Sequence, residues 1–378
     1  MDKSKVVLYD TSKEEIKIII EDIFKQFPME LEGKKVLVKP NMLGPFEQEK
    51  GVTTNPIVIE ALVTYLLERK ADVIVGDNPG GQGGGVVATA KKCGIYQASL
   101  GRFQSISKSC RMIDLKSRFL KEINVSDAIM DADIIINLPR FKTHGYAGLS
   151  GAIKNMFGIV VGPGKAKLHF KTPKPEDFHE LLVDLYQVRV PDLVIMDGIY
   201  AMEGMGPTTG DLRPLNKILA SIDGVALDAT VARMMGFDLE LIRHITIAAE
   251  RGIGHYMEDE IVIIGDNKPI ENFKLPISYD ASVKITAPKM SGVMELYKLG
   301  STVPNFDKPD LCLKCGECAK SCPVLAITME PYPVINRRKC ISCFCCAELC
   351  LKGCFGYVDG VKVFDKLFSA LGDGTDEN

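Results

Sequence analysis

Ten of the twelve cysteines in this 378-residue chain fall between Cys312 and Cys354; only Cys93 and Cys110 lie elsewhere. Thiols gathered this tightly point to metal ligation rather than to a disulfide framework, which spreads through a small secreted chain. Their spacing is doubled. "CLKCGECAKSCP" sets Cys312, Cys315, Cys318 and Cys322 in the pattern C-x2-C-x2-C-x3-C, followed by Pro323. "CISCFCCAELC" repeats it as Cys340, Cys343, Cys346 and Cys350, with Leu351 where the first copy has proline. Eight thiolates at this spacing suit two iron–sulfur cubanes, the first three of each copy on one cluster and the fourth crossing to the other.

The run resembles that of two-cluster bacterial ferredoxins. The crossing rule assigns Cys312, Cys315, Cys318 and Cys350 to cluster I, and Cys340, Cys343, Cys346 and Cys322 to cluster II, both 4Fe–4S. C-x2-C pairs also make zinc sites, but two zinc ions have no need of the doubled spacing. Cys345 and Cys354 are surplus. A register with Cys354 in place of Cys350 breaks the x3 spacing; Cys345 reads as a small buried hydrophobe, with a redox or tuning role as the alternative. Arg337, Arg338 and Lys339 stand just before Cys340, where they can offset negative cluster charge or remain a solvated run.

Upstream, short apolar β-branched runs alternate with amphipathic stretches. Strands are expected at 34–40, 72–77, 133–138, 192–197, 218–223 and 260–266, and helices at 13–27, 56–70, 175–189, 224–235 and 238–251. Thr11 or Ser12 is the expected cap of the first helix, and Asn55–Pro56 opens the second. Strands apolar on both faces and separated by helices predict an α/β fold, a mainly parallel sheet with helices on both faces, plus a small C-terminal ferredoxin-like α+β module. The expected boundaries are an α/β domain over 1–266, a proline-bearing connecting segment over 267–306, the two-cluster module over 307–358, and a C-terminal helix and tail over 359–378.

Ligands of open α/β sheets gather beyond the carboxyl ends of the strands. Those ends deliver Lys39 and Asn41, Asp77 and Asn78, Arg140 with Lys142, Thr143 and His144, Asp197 and Glu203, and Asp223 and Asp228. Lys39, Asn41, Asp77, Gly80, Gly81, Asp197 and Glu203 are therefore candidate ligand or cofactor contacts. The glycine-rich loop Gly80–Gly85 suits a phosphate or carboxylate against backbone amides, or a lid. Lys142, His144 and Lys154 are the candidate catalytic groups: two cations for an anionic substrate and a titratable imidazole in a Lys-Thr-His-Gly turn. Lys154 lies with Asn155 inside the apolar run 146–165, where a lysine either snorkels or faces an anion. The carboxylates Asp77, Asp197, Glu203 and Asp228 suit acid–base work or a divalent metal.

"VLVKPNM", "GDNPGG", "KTHGYAGLSGAIKNMFG", "DGIYAMEGMGP" and "CISCFCC", in this order, resemble the domain-of-unknown-function 362 family in its form fused to a double-cluster ferredoxin module, over about residues 5–360. The resemblance implies an iron–sulfur cluster-binding protein of the kind found in anaerobes. It implies no agreed reaction, so no catalytic residue carries over.

A formal net charge of −3 and 25% charged residues give no basic surplus for nucleic acid. The N-terminal "MDKSKVVLYD" has no apolar run of signal-peptide length and no stretch reaches a membrane span, so a cytoplasmic protein is expected. Three functions compete: an electron relay or redox enzyme, a non-redox enzyme or ligand-binding protein with structural clusters, and a dedicated electron donor or maturation factor. The expected partners are a redox protein or a small anionic substrate, with a homodimer as one arrangement. Residues 307–378 carry nine Lys/Arg and ten Asp/Glu, a near neutrality that suits docking on the chain's own α/β domain better than shuttling.

Overall fold

The computed structural model describes residues 3–79, 85–161, 164–172, 174–276, 279, 303–337, 339–340, 345–350 and 352–358. Among the described residues eleven strands precede the cysteine region: β1 (Ser4–Asp10), β2 (Lys35–Pro40), β3 (Asp72–Val75), β4 (Cys110–Asp114), β5 (Glu122–Ser126), β6 (Ile134–Leu138), β7 (Arg140–His144), β8 (Gly148–Leu149), β9 (Leu193–Glu203), β10 (Asp211–Ser221) and β11 (Ile261–Ile264). The main sheet runs β11-β1-β10-β9-β6-β2-β3, with β7 pairing to β9 and β8 to β7. Strands β3, β2, β6 and β9 are mutually parallel, as are β1 and β11; β10 is antiparallel to both its neighbours. The fold is thus α/β with a mainly parallel sheet.

Alternate residues of each strand feed two cores, as a period of two requires. Val36, Val38, Ile136 and Ile195 pack under the helices Ile16–Gln26 and Pro56–Glu68. Leu37, Ile135, Val194 and Met196 pack on the other face with Pro175–Tyr186 and Gly224–Met235. Each such side chain, fully buried, contributes roughly 1.5–3 kcal/mol. The second helix opens as its sequence predicts, with Pro56 in its first turn and the Asn55 side chain accepting from Ile57 N at 3.2 Å. The first does not. It begins behind Glu15 without a side-chain cap, because Ser12 turns back to Asp10 and Thr11 donates its backbone N–H to Asn216 O.

Pro139 separates β6 from β7, which both pair with β9 in one register as far as Arg140↔Asp197; the register shifts within β7, between Arg140 and Lys142. Strand β7, with its entire length buried, carries Lys142 and His144 past the end of β6. The reversed β10 corrects one expectation. Its carboxyl end lies at the opposite edge of the sheet from that of β2, and Asp223 there caps the helix Gly224–Met235 through Val225 N and Ala226 N.

The cysteine region contributes β12 (Val303–Phe306), β13 (Ile327–Met329), β14 (Pro333–Ile335) and β15 (Phe355–Val358), paired β12 with β15 and β13 with β14. The module's sheet therefore starts at Val303, inside the segment expected to be a connector. Before that, Ile270 N bonds Met234 O and Phe273 enters the main core. Residues 280–302 and the expected C-terminal helix over 359–378 lie outside the described residues.

Candidate functional site

One cavity, about 720 Å³, lies between the strand ends and the cysteine module. Its α/β wall includes Asn41, Asp77, Lys142, His144, Lys154, Asn155 and Lys165; its module wall includes Cys312, Cys315, Cys318, Cys350 and Cys354. The loop after β9 helps to hold the two together. Met205 packs among Cys318, Ile327, Cys346 and Phe355, and the next-but-one residue, Pro207, lines the cavity.

The α/β wall rests on a buried polar framework. Lys39, fully buried at the end of β2, places Nζ 2.7 Å from Asp77 Oδ1, and Asp77 Oδ2 accepts from Met42 N at 2.9 Å. Gly158 lies directly over this pair: a Cβ there would meet Asp77 Oδ1 at 2.3 Å and Lys39 Nζ at 2.7 Å, so only glycine lets the chain close over the charges. Lys142 Nζ donates to Asn41 Oδ1 and Val52 O, both at 2.7 Å. Asn41 Nδ2 donates to Asn155 Oδ1 at 2.9 Å, and Asn155 Nδ2 to Asn137 Oδ1 at 2.7 Å. Both buried lysines have acceptors around them, as buried polar groups require.

The helix Ala152–Asn155 carries Lys154 and Asn155 to the cavity. Its start is capped from another element: Asp228 accepts from Ala152 N at 2.6 Å and Ile153 N at 3.0 Å. Gly151 makes this approach possible, since a Cβ would lie 2.0 Å from Asp228 Oδ1. Burial pushes the Asp228 carboxyl up to about 7 against those two amide bonds. Lys154 Nζ lies 5.1 Å from the centre of the Phe157 ring and 5.9 Å from that of Phe178, within cation–π range.

His144 Nδ1 accepts from Tyr146 N and Ala147 N, both at 3.1 Å. With that lone pair engaged, the neutral ring carries its proton on Nε2. The turn is fixed from behind: Tyr146 O accepts from Tyr279 OH at 2.8 Å, and Tyr279 OH bonds His179 Nε2 at 3.1 Å. Burial lowers His179 to about 3, so it is neutral and structural.

Among the described residues five lysines line the cavity, Lys142, Lys154, Lys165, Lys320 and Lys352, against Asp77 and Glu317. Asp77 is engaged by Lys39, and Glu317 lies 3.0 Å from Lys320. The lining is therefore basic and suits an anion. Lys165, Lys320, Lys352 and His169 were not singled out from the sequence. Lys165 sits in an exposed-looking Gly-Lys-Ala-Lys run, and the other two lysines belong to a module whose docking no local pattern reveals.

The remaining candidates are elsewhere. Arg140 Nη1 holds Asp197 Oδ2 at 2.5 Å, and Asp197 also accepts from Asn55 N and Ile199 N. Glu203 pairs with Arg213 at 3.3 Å and lies 3.8 Å from Lys274. Neither lines the cavity. The four carboxylates are dispersed, and among the described residues no three His, Cys, Asp or Glu side chains converge on one ion. Gly80 and Gly81 lie outside the described residues.

On the module wall, Cys312, Cys315, Cys318 and Cys350 share the one cavity, as thiols bound to separate corners of a cubane must. Burial, with Cys350 and Cys315 close by, pushes the Cys318 thiol up to about 11. Backbone amides already point at sulfur: Lys314 N to Cys312 Sγ at 3.4 Å, Ala326 N to Cys322 Sγ and Cys354 N to Cys350 Sγ, both at 3.2 Å. The donor set fits an iron–sulfur cluster. For the second set, Cys322 and Cys346 enter one apolar cluster, while Cys343 lies outside the described residues. Arg337 is committed to Pro304 O and Asn305 Oδ1.

The model of the domain of unknown function 362 matches residues 36–233, more than half of the chain. The chain belongs to this family. A 4Fe-4S dicluster domain matches residues 305–351, so the family's α/β domain is followed here by an iron–sulfur module with the capacity for electron transfer. A thylakoid-associated protein of Synechocystis sp. is 33% identical over 232 residues, covering 59% of this chain and 68% of its own length. Two solved structures show weaker likeness, each at a TM-score of 0.40. The lactate racemase apoprotein of Thermoanaerobacterium thermosaccharolyticum is 13% identical, covering 60% of this chain and 56% of that one. A Thermotoga maritima protein from structural genomics is 14% identical, covering 64% and 60%. The chain thus spans less than two thirds of either structure. Among the described residues no helix is long and apolar enough to cross a membrane.

Proposed function

We propose that this family member is an electron relay between a redox partner protein and a small anionic molecule held in the basic cavity. Two 4Fe–4S clusters, on Cys312, Cys315, Cys318 and Cys350 and on Cys340, Cys343, Cys346 and Cys322, supply one-electron steps when bound. The observation that carries this reading is the shared wall: the thiols assigned to cluster I line the same cavity as Lys142, His144 and Lys154. An electron passing across that gap meets a ligand already held by ammonium groups. Lys142, oriented by Asn41 and Val52 O, binds negative charge, and Lys154 stands over its two aromatic rings to do the same. His144, with Nδ1 occupied by backbone amides, offers an Nε2 proton to the charge that a reduced ligand develops. Leu325, 74% exposed and three residues after Cys322, offers the redox partner an apolar contact on the module.

Anaerobically prepared protein is expected to hold about eight iron and about eight sulfide per chain. Stoichiometric zinc without sulfide defeats the reading. Small polyanions such as citrate or inorganic phosphate should raise the melting temperature of the holoprotein. Lys154→Ala and Lys142→Ala should weaken that protection about tenfold in anion concentration, roughly 1.4 kcal/mol each, with iron content unchanged. Loss of iron in either variant would assign these lysines to holding the module in place instead.

A further inference from the structure

Behind the His144 turn, four side chains and one peptide group form a single chain of hydrogen bonds whose direction their chemistry fixes. The hydroxyl of Tyr279 has one proton, and it goes to Tyr146 O at 2.8 Å, a carbonyl that can only accept. The 3.1 Å contact between Tyr279 OH and His179 Nε2 therefore takes its proton from the ring nitrogen. A neutral His179 is then bare at Nδ1. That atom accepts the His244 backbone N–H at 3.3 Å, and the 2.7 Å contact with His244 Nδ1 uses the proton of His244. Burial drives both imidazoles toward the neutral form that this arrangement requires. At the other end, the carbonyl bound by Tyr279 and the N–H of Ala147 belong to one peptide group, and Ala147 N donates to His144 Nδ1 at 3.1 Å. A peptide polarised at its oxygen donates more strongly at its nitrogen. The Tyr279 ring is fixed in place: it stands edge-on to Phe237, and a Cβ on Gly148 would lie 3.1 Å from its Cε1.

We propose that Tyr279 is a positioning residue for the basic cavity: through the Tyr146–Ala147 peptide it holds His144 as a neutral imidazole with its proton on Nε2. The proposal rests on the reading of the cavity as an anion site, in which His144 is the uncharged hydrogen-bond donor among the lysines. Moving the proton to Nδ1, or adding a second one there, sets an N–H against the amide donors of Tyr146 and Ala147. Which ring nitrogen carries the proton is decided by the bond that the other one makes. Lys142, Lys154 and Lys165 line the same cavity and oppose a positive ring in the same sense, as do His169 beside them and His179 behind the turn whenever these are protonated. Of the acidic groups there, Asp77 is engaged by Lys39, and Glu317 lies beside Lys320. His144 therefore gives a hydrogen bond to an anion's oxygen instead of taking a proton from the ligand.

The test is nitrogen NMR of the imidazole rings, in which protonated and bare nitrogens have distinct shifts, on anaerobic holoprotein in its oxidised state. His144→Gln assigns the His144 signals. Wild type should show His144 neutral with its proton on Nε2 at about pH 6 and about pH 8, either side of the ordinary imidazole range. Tyr279→Phe should lower the ratio of that form to all others at about pH 6 by about fivefold, the weight of one hydrogen bond. Tyr146→Phe is the matched control. Its hydroxyl donates to Thr172 O at 3.0 Å, so the variant loses a buried hydroxyl–carbonyl bond from the same turn and leaves the chain to His144 whole. It should keep the wild-type ratio. Equal changes in the two variants would mean a general loosening of the turn, and an unchanged ratio in folded Tyr279→Phe would mean that the amides alone hold the ring; either overturns the proposal. Should Tyr279→Phe not fold, His179→Leu takes the donor from the Tyr279 hydroxyl and His179→Gln retains one. A fall in the ratio for leucine and not for glutamine supports the proposal, and the same value in both overturns it. Sulfate, which does not titrate in this range, should move the His144 Nε2 signal of wild type. A His144 held as expected that ignores sulfate overturns the anion-site reading and upholds the hold of Tyr279 on the ring.

Discussion

The cavity's two walls are built on different physical plans. The α/β wall is locked by the protein's own groups: Lys39 against Asp77, and Lys142 through Asn41 and Asn155 to Asn137, all on elements with cores on both sides of the sheet. The module wall hangs on strands of three or four residues and on one-turn helices at Glu317–Lys320 and Cys345–Glu348. Its apolar cluster is small, consists in part of the cysteines themselves, and includes Met205 from the other domain. A domain of this size seldom stabilises itself by burial alone and needs disulfides, metal or a neighbour. One wall should therefore exist before any ligand arrives, and the other should owe its order to iron.

The largest expected effect follows directly. Removing iron by chelation under oxidising conditions should leave amides of β2, β6 and β9 protected from hydrogen exchange while those of residues 303–358 exchange freely. Equal protection of the module without iron would erase the contrast.

A smaller effect probes the α/β wall. Asp77→Asn removes one partner of the buried Lys39 pair and leaves the ammonium group beneath Gly158 without its counter-charge. The expected loss is about 3–5 kcal/mol in urea unfolding of the α/β domain, with the iron per folded chain held at the wild-type value. A drop in iron at full α/β stability would mean that the pair serves module docking rather than the floor of the cavity.

This contrast also explains what the sequence revealed. Cysteine ligation needs a fixed spacing along a short loop, so both motif copies are legible from residue order alone. The parallel core was legible too, because runs such as Lys35–Pro40 and Ile134–Leu138 are apolar on both faces. Direction was not. The run at 218–223 looks like the other strands, and only pairing shows that β10 runs backwards and takes Asp223 away from the cavity edge. Strand β7 was hidden because Arg140, Lys142 and His144 are polar, and polar residues in a strand are tolerated only when buried partners await them. Glu203 ends β9, but the strand expected to stop at 197 runs on to 203 and leaves Asp197 in its middle; Arg140 and Arg213 take up the two charges, an outcome set by contacts 57 and 10 residues apart in sequence. Lys142 and Lys154 reach the cavity because β7 and the helix at 152 both end there.

The smallest effect separates two buried carboxylates of the same domain. Asp77 has an ammonium group beside it, whereas the described partners of Asp228 are two backbone amides at the start of the helix that presents Lys154. Burial dominates at Asp228 and raises it from its ordinary 3.8 to about 7. A carboxyl raised in this way binds its proton more tightly in the folded chain than in the unfolded one. Below about pH 4 both forms are protonated and the group's contribution to stability is complete. Between there and about pH 7 the unfolded chain has released its proton while the folded one still holds it, so that contribution falls as pH rises; above about pH 7 it changes no further. Asp228→Asn has no proton to release. Its stability deficit relative to wild type should therefore be larger at pH 5 than at pH 7.5, read as the difference in urea midpoints. An equal deficit at both pH values would show that the amide bonds from Ala152 and Ile153 hold Asp228 ionised throughout. Lys154 would then stand on a helix capped by a permanent negative charge, and the anion affinity of the cavity would keep no trace of this titration.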